Sequence, residues 1–134
     1  MNNFSKKLLA GAIAAVAVLV STPSASAAAR NGVCETNEFC LYWGPGTAWS
    51  ASDFTTSIDT YGTSQPTCYE FKTPDRGGYE QCVKNNAEHA CNFRSRAVRV
   101  YFNSDHKGAY DTIPAGTCRP LVATKNNNAS HLFL

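Results

Sequence analysis

The groups in this 134-residue chain that can do chemistry are six cysteines, three histidines and ten carboxylates. Cysteines act as thiolate nucleophiles, as soft metal ligands or, once oxidised in pairs, as staples. Here they are Cys34, Cys40, Cys68, Cys82, Cys91 and Cys118, an even set with no two closer than Cys34 and Cys40. Structural zinc sites favour ligand pairs about two to four residues apart. His89, His106 and His131 are too scattered to form such a pair. Three disulfides are expected, with no metal and no cofactor, although spacing alone does not choose among the possible pairings. No G-x-S-x-G, H-E-x-x-H or phosphate-cradling glycine motif occurs in the chain. With the thiols paired no thiol is left as a nucleophile, and no motif surrounds the carboxylates and histidines, so the chain is expected not to be an enzyme.

Disulfides need an oxidising compartment, and the N-terminus supplies a route to one. Lys6 and Lys7 precede an apolar run over residues 8–20, followed by small residues and Ala25-Ser26-Ala27. That is the pattern of a secretory signal peptide. The run is shorter than the roughly 20 residues that span a bilayer, and no second apolar stretch follows. Residues 1–27 are therefore expected to be a leader for the general secretory route, and residues 28–134 the mature extracellular domain with no membrane attachment. Lys6 and Lys7 leave with the leader, so the formal charge of +2 falls to zero, ten Lys/Arg against ten Asp/Glu. So small a net charge is no electrostatic footprint for nucleic acid, which asks for a strongly basic face or stripe. With 11% aromatic and 16% charged residues the chain is not a disordered one. The length suits a single domain.

The elements that must position these groups read as short strands between turns. Residues 39–43, Phe-Cys-Leu-Tyr-Trp, stop at Gly44-Pro45-Gly46; residues 68–72 stop before Pro74-Asp75-Arg76-Gly77-Gly78. Residues 97–102 alternate, with Val98, Val100 and Phe102 expected on one face and Arg99 and Tyr101 on the other. Ile113, Leu121-Val122 and residues 132–134 are expected in closing strands, and only residues 80–88 suggest a short helix, weakened by Asn85-Asn86. Many short strands with regular turns mean an all-β sandwich or barrel. A faint repeat adds to this. Leu41-Tyr42-Trp43 and Phe54 match Val100-Tyr101-Phe102 and Ile113 at an offset of 59, and residues 85–89 match residues 127–131 at an offset of 42. The difference, 17, places extra length in the first unit, around Cys68 to Cys82. Two such units suit paired Greek keys sharing one core.

Asn31-Gly32-Val33-Cys34, Phe39-Cys40-Leu41-Tyr42 and Ser52-Asp53-Phe54 resemble the secreted bacterial peptidase inhibitor I36 family. So do Tyr61-Gly62, Thr67-Cys68-Tyr69-Glu70-Phe71, Gln81-Cys82-Val83-Lys84-Asn85-Asn86-Ala87, Val100-Tyr101-Phe102-Asn103-Ser104 and Asn128-Ala129-Ser130-His131. The resemblance covers nearly all of residues 28–134 and implies a βγ-crystallin-like sandwich of two Greek-key motifs, and inhibition of metalloproteinases. The crystallin-like hairpin signature is nearly kept in the second unit as Tyr101, His106 and Gly108; the first unit departs from it with Tyr42, Thr47 and Trp49. Against the family pattern Cys91 and Cys118 are the additional pair. The resemblance therefore implies Cys91–Cys118, with Cys34–Cys40 as an N-terminal clamp and Cys68–Cys82 closing the long loop.

The resemblance also raises calcium, which crystallin-like modules take through Asn/Asp-Asn/Asp-x-x-Ser/Thr-Ser. Residues 126–131 end in His131 instead of Ser, residues 85–90 carry His89 and Ala90 in the hydroxyl positions, and both lack the carboxylates a calcium site wants. A structural use of these Asn and Ser side chains is expected. For inhibition, the candidate loop is Thr73-Pro74-Asp75-Arg76-Gly77-Gly78, which also reads as an ordinary turn. Arg76 suits a trypsin-like pocket and Asp75 a metal. Trp49 is a candidate second contact, and Trp43 a core residue. The function expected is a secreted, monomeric inhibitor of an extracellular protease, a metalloprotease before a serine protease. The alternative is a crystallin-like structural, cell-envelope or antimicrobial module without inhibition.

Overall fold

The computed structural model describes residues 29–134; the leader assigned to residues 1–27 lies outside the described residues. Seven strands follow one another: β1 (Phe39–Tyr42), β2 (Ala51–Phe54), β3 (His89–Asn92), β4 (Val98–Asn103), β5 (Lys107–Ile113), β6 (Thr117–Pro120) and β7 (Ser130–Phe133). They form two antiparallel sheets, ordered β2-β1-β3-β6 and β5-β4-β7. No helix occurs among the described residues, and none is long and apolar enough to cross a membrane.

The sheets pack face to face across apolar residues that β1 to β5 contribute. Phe39 and Leu41 of β1, Phe54 of β2 and Ala90 of β3 meet Val98 and Val100 of β4 and Ile113 of β5 in one core, closed by Tyr61, Phe71, Val83 and Leu121. Cys40, Tyr42 and Cys91 point the other way, into a smaller cluster with Ala51 and Cys34. Along β4 the expected alternation fails at its end. Phe102 is 41% exposed and Tyr101 only 7%. The β4–β5 register shifts between Tyr101 and Asn103, and a bulge at that point moves the next side chain to the other face.

The repeat appears as an exchange between the sheets. β1 and β2 correspond to β4 and β5, and β3 corresponds to β7. The second unit's β6 pairs with β3, while in the first unit Ile58 forms an isolated bridge to His131 of β7. Ile58 and Thr117, the first residue of β6, are separated by the same offset of 59. Each unit thus lends its third segment to the other's sheet. The three disulfides are Cys34–Cys40, Cys68–Cys82 and Cys91–Cys118, the set implied by the resemblance, and no described cysteine is free.

Three strand or helix expectations are corrected. Residues 80–88 are turns, because Glu80 and Asn85 take left-handed φ of 65° and 63° and the Asn86 amide donates to Cys82 O at 2.8 Å. Residues 68–72 contribute only a single bridge, Glu70 to Cys82. Leu121 is buried just beyond β6, and Val122 is 78% exposed.

Candidate functional site

The loop expected to be the inhibitory segment is tied at its base and along its flank. At the base, Val83 N donates to Tyr69 O, Phe71 N to Gln81 O and Glu80 N to Phe71 O, a short ladder beside the Cys68–Cys82 bridge. Along the flank the loop runs against β2. Lys72 N donates to Ala51 O at 2.7 Å, Ala51 N to Thr73 Oγ1 at 2.8 Å, and Ser50 N to Gly77 O at 3.0 Å. Thr73 Oγ1 in turn donates to Gly32 O, and Ser50 Oγ to Thr73 O. Pro74, Asp75, Arg76 and Gly77 form the exposed tip, with Thr73 and Gly78 half-buried.

The second candidate, Trp49, is brought into this same site. The hairpin between β1 and β2 carries Trp43 and Trp49 with ring centroids 5.2 Å apart. Gly77 lies on Trp49 and Gly78 on Trp43: a Cβ on either would fall 2.5 or 2.2 Å from an indole carbon. Gly78 also has φ +91°, a conformation that side chains resist. Trp43 packs against the core as expected, and Trp49 is half-buried beneath loop backbone rather than standing free. The departure of the first unit from the hairpin signature follows from this. Trp49 occupies the place of Gly108, and the backbone of Gly44 packs on its indole. In the second unit Gly108 has φ +82°, and His106 lies 5.6 Å from the Tyr101 ring in the aromatic slot.

Arg76 is exposed, and its Nη1 donates to Thr47 O at 3.1 Å across the surface. Asp75, at φ 58°, is the acidic group of the tip. Burial raises the phenol of Tyr42 above its ordinary range, and the charge of Arg76 works against that rise.

The asparagine segments serve the backbone. Asn128 is fully buried; its Nδ2 donates to Ala87 O and Thr124 O, and its Oδ1 accepts from Ala87 N. Asn86 repeats the same four-residue contact with Cys82 in the first unit. Ser130 Oγ donates to Asn103 O and accepts from His106 N. His131 is buried between Thr56 O and the Tyr61 hydroxyl, both at 2.8 Å. Carbonyls only accept, so Nε2 carries the proton and Nδ1 accepts from Tyr61. Burial pushes its pKa down to about 3. Among the described residues no group of three or more His, Cys, Asp or Glu side chains converges as a metal site.

Sequence reasoning missed two features. Arg30, next to the expected cleavage point, belongs to the fold. Its guanidinium donates to Ser52 Oγ, Asp53 O and Glu70 O and lies 4.4 Å over the Phe54 ring. The other is a cleft beside Trp43 and Trp49, walled on its far side by Asn85, Asn86, Glu88 and Asn126. Only the pairing of residues 85–88 with the second unit's asparagines hinted at it.

No protein-family model matches the chain, and no curated protein matches it in sequence. A solved structure described as bearing on the evolution of the eye-lens βγ-crystallin domain fold does match, with a TM-score of 0.55 over 77% of this chain and 93% of that one. The fold is that of a βγ-crystallin domain. At 7% identity the likeness extends to the fold alone. Three disulfides fit an oxidising, extracellular environment.

Proposed function

We propose that this chain is a secreted, non-enzymatic peptidase inhibitor of the I36 type that acts as a monomer on extracellular proteases, metalloproteases foremost. The observation that carries the reading is the tip at residues 74–77. It is exposed, closed off by Cys68–Cys82, and pinned at Thr73 to Ala51 of β2 and at Gly77 to Ser50 just before that strand. A segment ordered before binding loses less entropy on entering a cleft, and one pinned on both sides is poorly released after cleavage. Arg76 has one N–H tethered to Thr47 O, whereas Asp75 supplies the carboxylate of the exposed tip, which favours Asp75 as its leading group. A carboxylate suits the zinc of a metalloprotease better than the acidic pocket of a trypsin-like enzyme. Titrating a thermolysin-like metalloprotease, a subtilisin-like enzyme and trypsin with the mature protein tests this. Stoichiometric loss of the metalloprotease activity is expected; full activity of all three at molar excess overturns the reading. The aromatic cleft beside the loop favours a second reading, an extracellular module that binds cell-envelope material without inhibiting proteases.

A further inference from the structure

Both tryptophans of the chain, Trp43 and Trp49, line one cleft of about 450 Å³. That falls within the range of small-molecule pockets, roughly 300–1,000 Å³. Across from them stand Asn85, Asn86, Glu88 and Asn126. The aromatic wall is fixed, since Gly44, Gly77 and Gly78 pack on the indoles closely enough to bar a Cβ. The polar wall is fixed as well. Asn85 N donates to Asn128 O, Asn126 N to Ala87 O and Glu88 N to Tyr42 O, each at 2.9 Å. Asn85 and Asn126 hold left-handed φ of 63° and 53°, a conformation asparagine tolerates better than most residues.

The polar wall has hydrogen-bonding capacity to spare. Asn126 Nδ2 donates to Glu88 Oε1 at 3.1 Å, leaving Glu88 Oε2 and Asn126 Oδ1 for a ligand. Asn86 Nδ2 is spent on Cys82 O, leaving its Oδ1. The Asn85 side chain stands exposed at the rim with both a donor and an acceptor.

A ligand that matches must carry an apolar face for the indoles and a rim of groups that both donate and accept. Amides and a carboxylate without a facing Lys or Arg disfavour phosphates and other anions. A purely apolar ligand would strip water from three asparagines and a glutamate without repayment in hydrogen bonds. A pyranose has the required form: C–H groups on one face, attracted to the negative face of an indole, and hydroxyls around the edge. We infer that this cleft binds a neutral pyranose unit of an extracellular oligosaccharide. The inference is independent of the protease reading, because the cleft lies beside the inhibitory tip and not on it.

Tryptophan emission, excited apart from the six tyrosines, reads this site alone, since the chain has no tryptophan elsewhere. The disulfide-intact mature protein is titrated with the neutral sugars cellotetraose, fully N-acetylated chitotetraose and mannotetraose. A saturable change in tryptophan emission is expected with at least one, at a dissociation constant on the order of 1 mM or tighter. Glu88→Gln, which keeps the shape of the side chain, and Asn85→Gly, which keeps the backbone, are each expected to weaken that binding tenfold with an unchanged far-ultraviolet circular dichroism spectrum. No saturable change with any of the three sugars, or a change that both variants leave intact, overturns the inference.

Discussion

His131 is a fully buried histidine whose charge the fold excludes. It stands where the crystallin-like segment would have a serine, and burial holds it neutral down to about pH 3 rather than the ordinary 6.5. The unfolded chain takes up that proton first, so its contribution to stability is complete above about pH 6.5 and fades as the pH falls toward 3. Asp111 adds to the lower part of this window. Burial alone would raise its pKa, but hydrogen bonds from Thr124, Ala123 and Val122 outweigh burial and hold it below the usual carboxylate range. Stability measured by urea unfolding is expected to fall by several kcal/mol between pH 6.5 and 4. In His131→Gln the protein is expected to be less stable at pH 7 and to show a much flatter profile over that interval; an unchanged slope contradicts the assignment. The sequence marked His131 only as a departure from a calcium-binding pattern. Its role depends on Tyr61 and Thr56, some 70 positions earlier, and local spacing carries no such information. Arg30 was illegible for the same reason: its partners are Ser52, Asp53 and Glu70.

At the scale of elements, strands whose alternation faces a single core were legible, as in β1 and the first half of β4. β2 and β3 were not, because Ala51-Ser52-Asp53-Phe54 and His89-Ala90-Cys91-Asn92 carry buried polar residues that tertiary hydrogen bonds satisfy. Asp53, for instance, is fully buried and accepts from the backbone of Asn31 and Gly32. The loop at residues 73–78 was legible as a turn and as a candidate site, but not as a partner of Trp49. That contact rests on two glycines meeting two indoles, and the glycines read equally well as simple turn residues. Gly78→Ala tests it. Alanine at φ +91° costs about 1–2 kcal/mol in backbone conformation, and its Cβ would collide with Trp43 as well. We expect a lower melting temperature and a red-shifted tryptophan emission as the loop lifts from the indoles. An emission spectrum identical to that of the unchanged protein would mean that the loop does not rest there.

For the molecule as a whole, the two repeat offsets already contained the architecture, two Greek keys with extra length in the first. What they did not contain is the exchange in which β6 joins the first unit's sheet and Ile58 reaches β7. A single bridge is too small a signal to leave a strand-like pattern. Cys91 and Cys118 are direct cross-strand partners in β3 and β6, so their bond fastens the second unit's contribution to the first unit's sheet. The Cys91→Ala, Cys118→Ala double variant is expected to lose about 2–4 kcal/mol of stability while keeping its β-sheet signature, as followed by thermal unfolding. A loss below about 1 kcal/mol would show that the exchange holds without the staple. Cys68–Cys82 serves differently, by stiffening the loop that carries the proposed activity. Closing a loop of about 15 residues contributes roughly 3 kcal/mol in the chain-entropy model, a large share for so small a core.

The most direct test of that activity is the inhibition constant against a thermolysin-like metalloprotease for the intact protein, Asp75→Ala and Arg76→Ala, measured side by side. Both side chains are exposed at the tip, so neither change should disturb the core. The expected result is inhibition by the intact protein, a loss of tenfold or more for Asp75→Ala, and a smaller loss for Arg76→Ala, which releases only the contact to Thr47 O. Equal inhibition by all three proteins would contradict the account, because the tip of the loop would then not be what enters the protease.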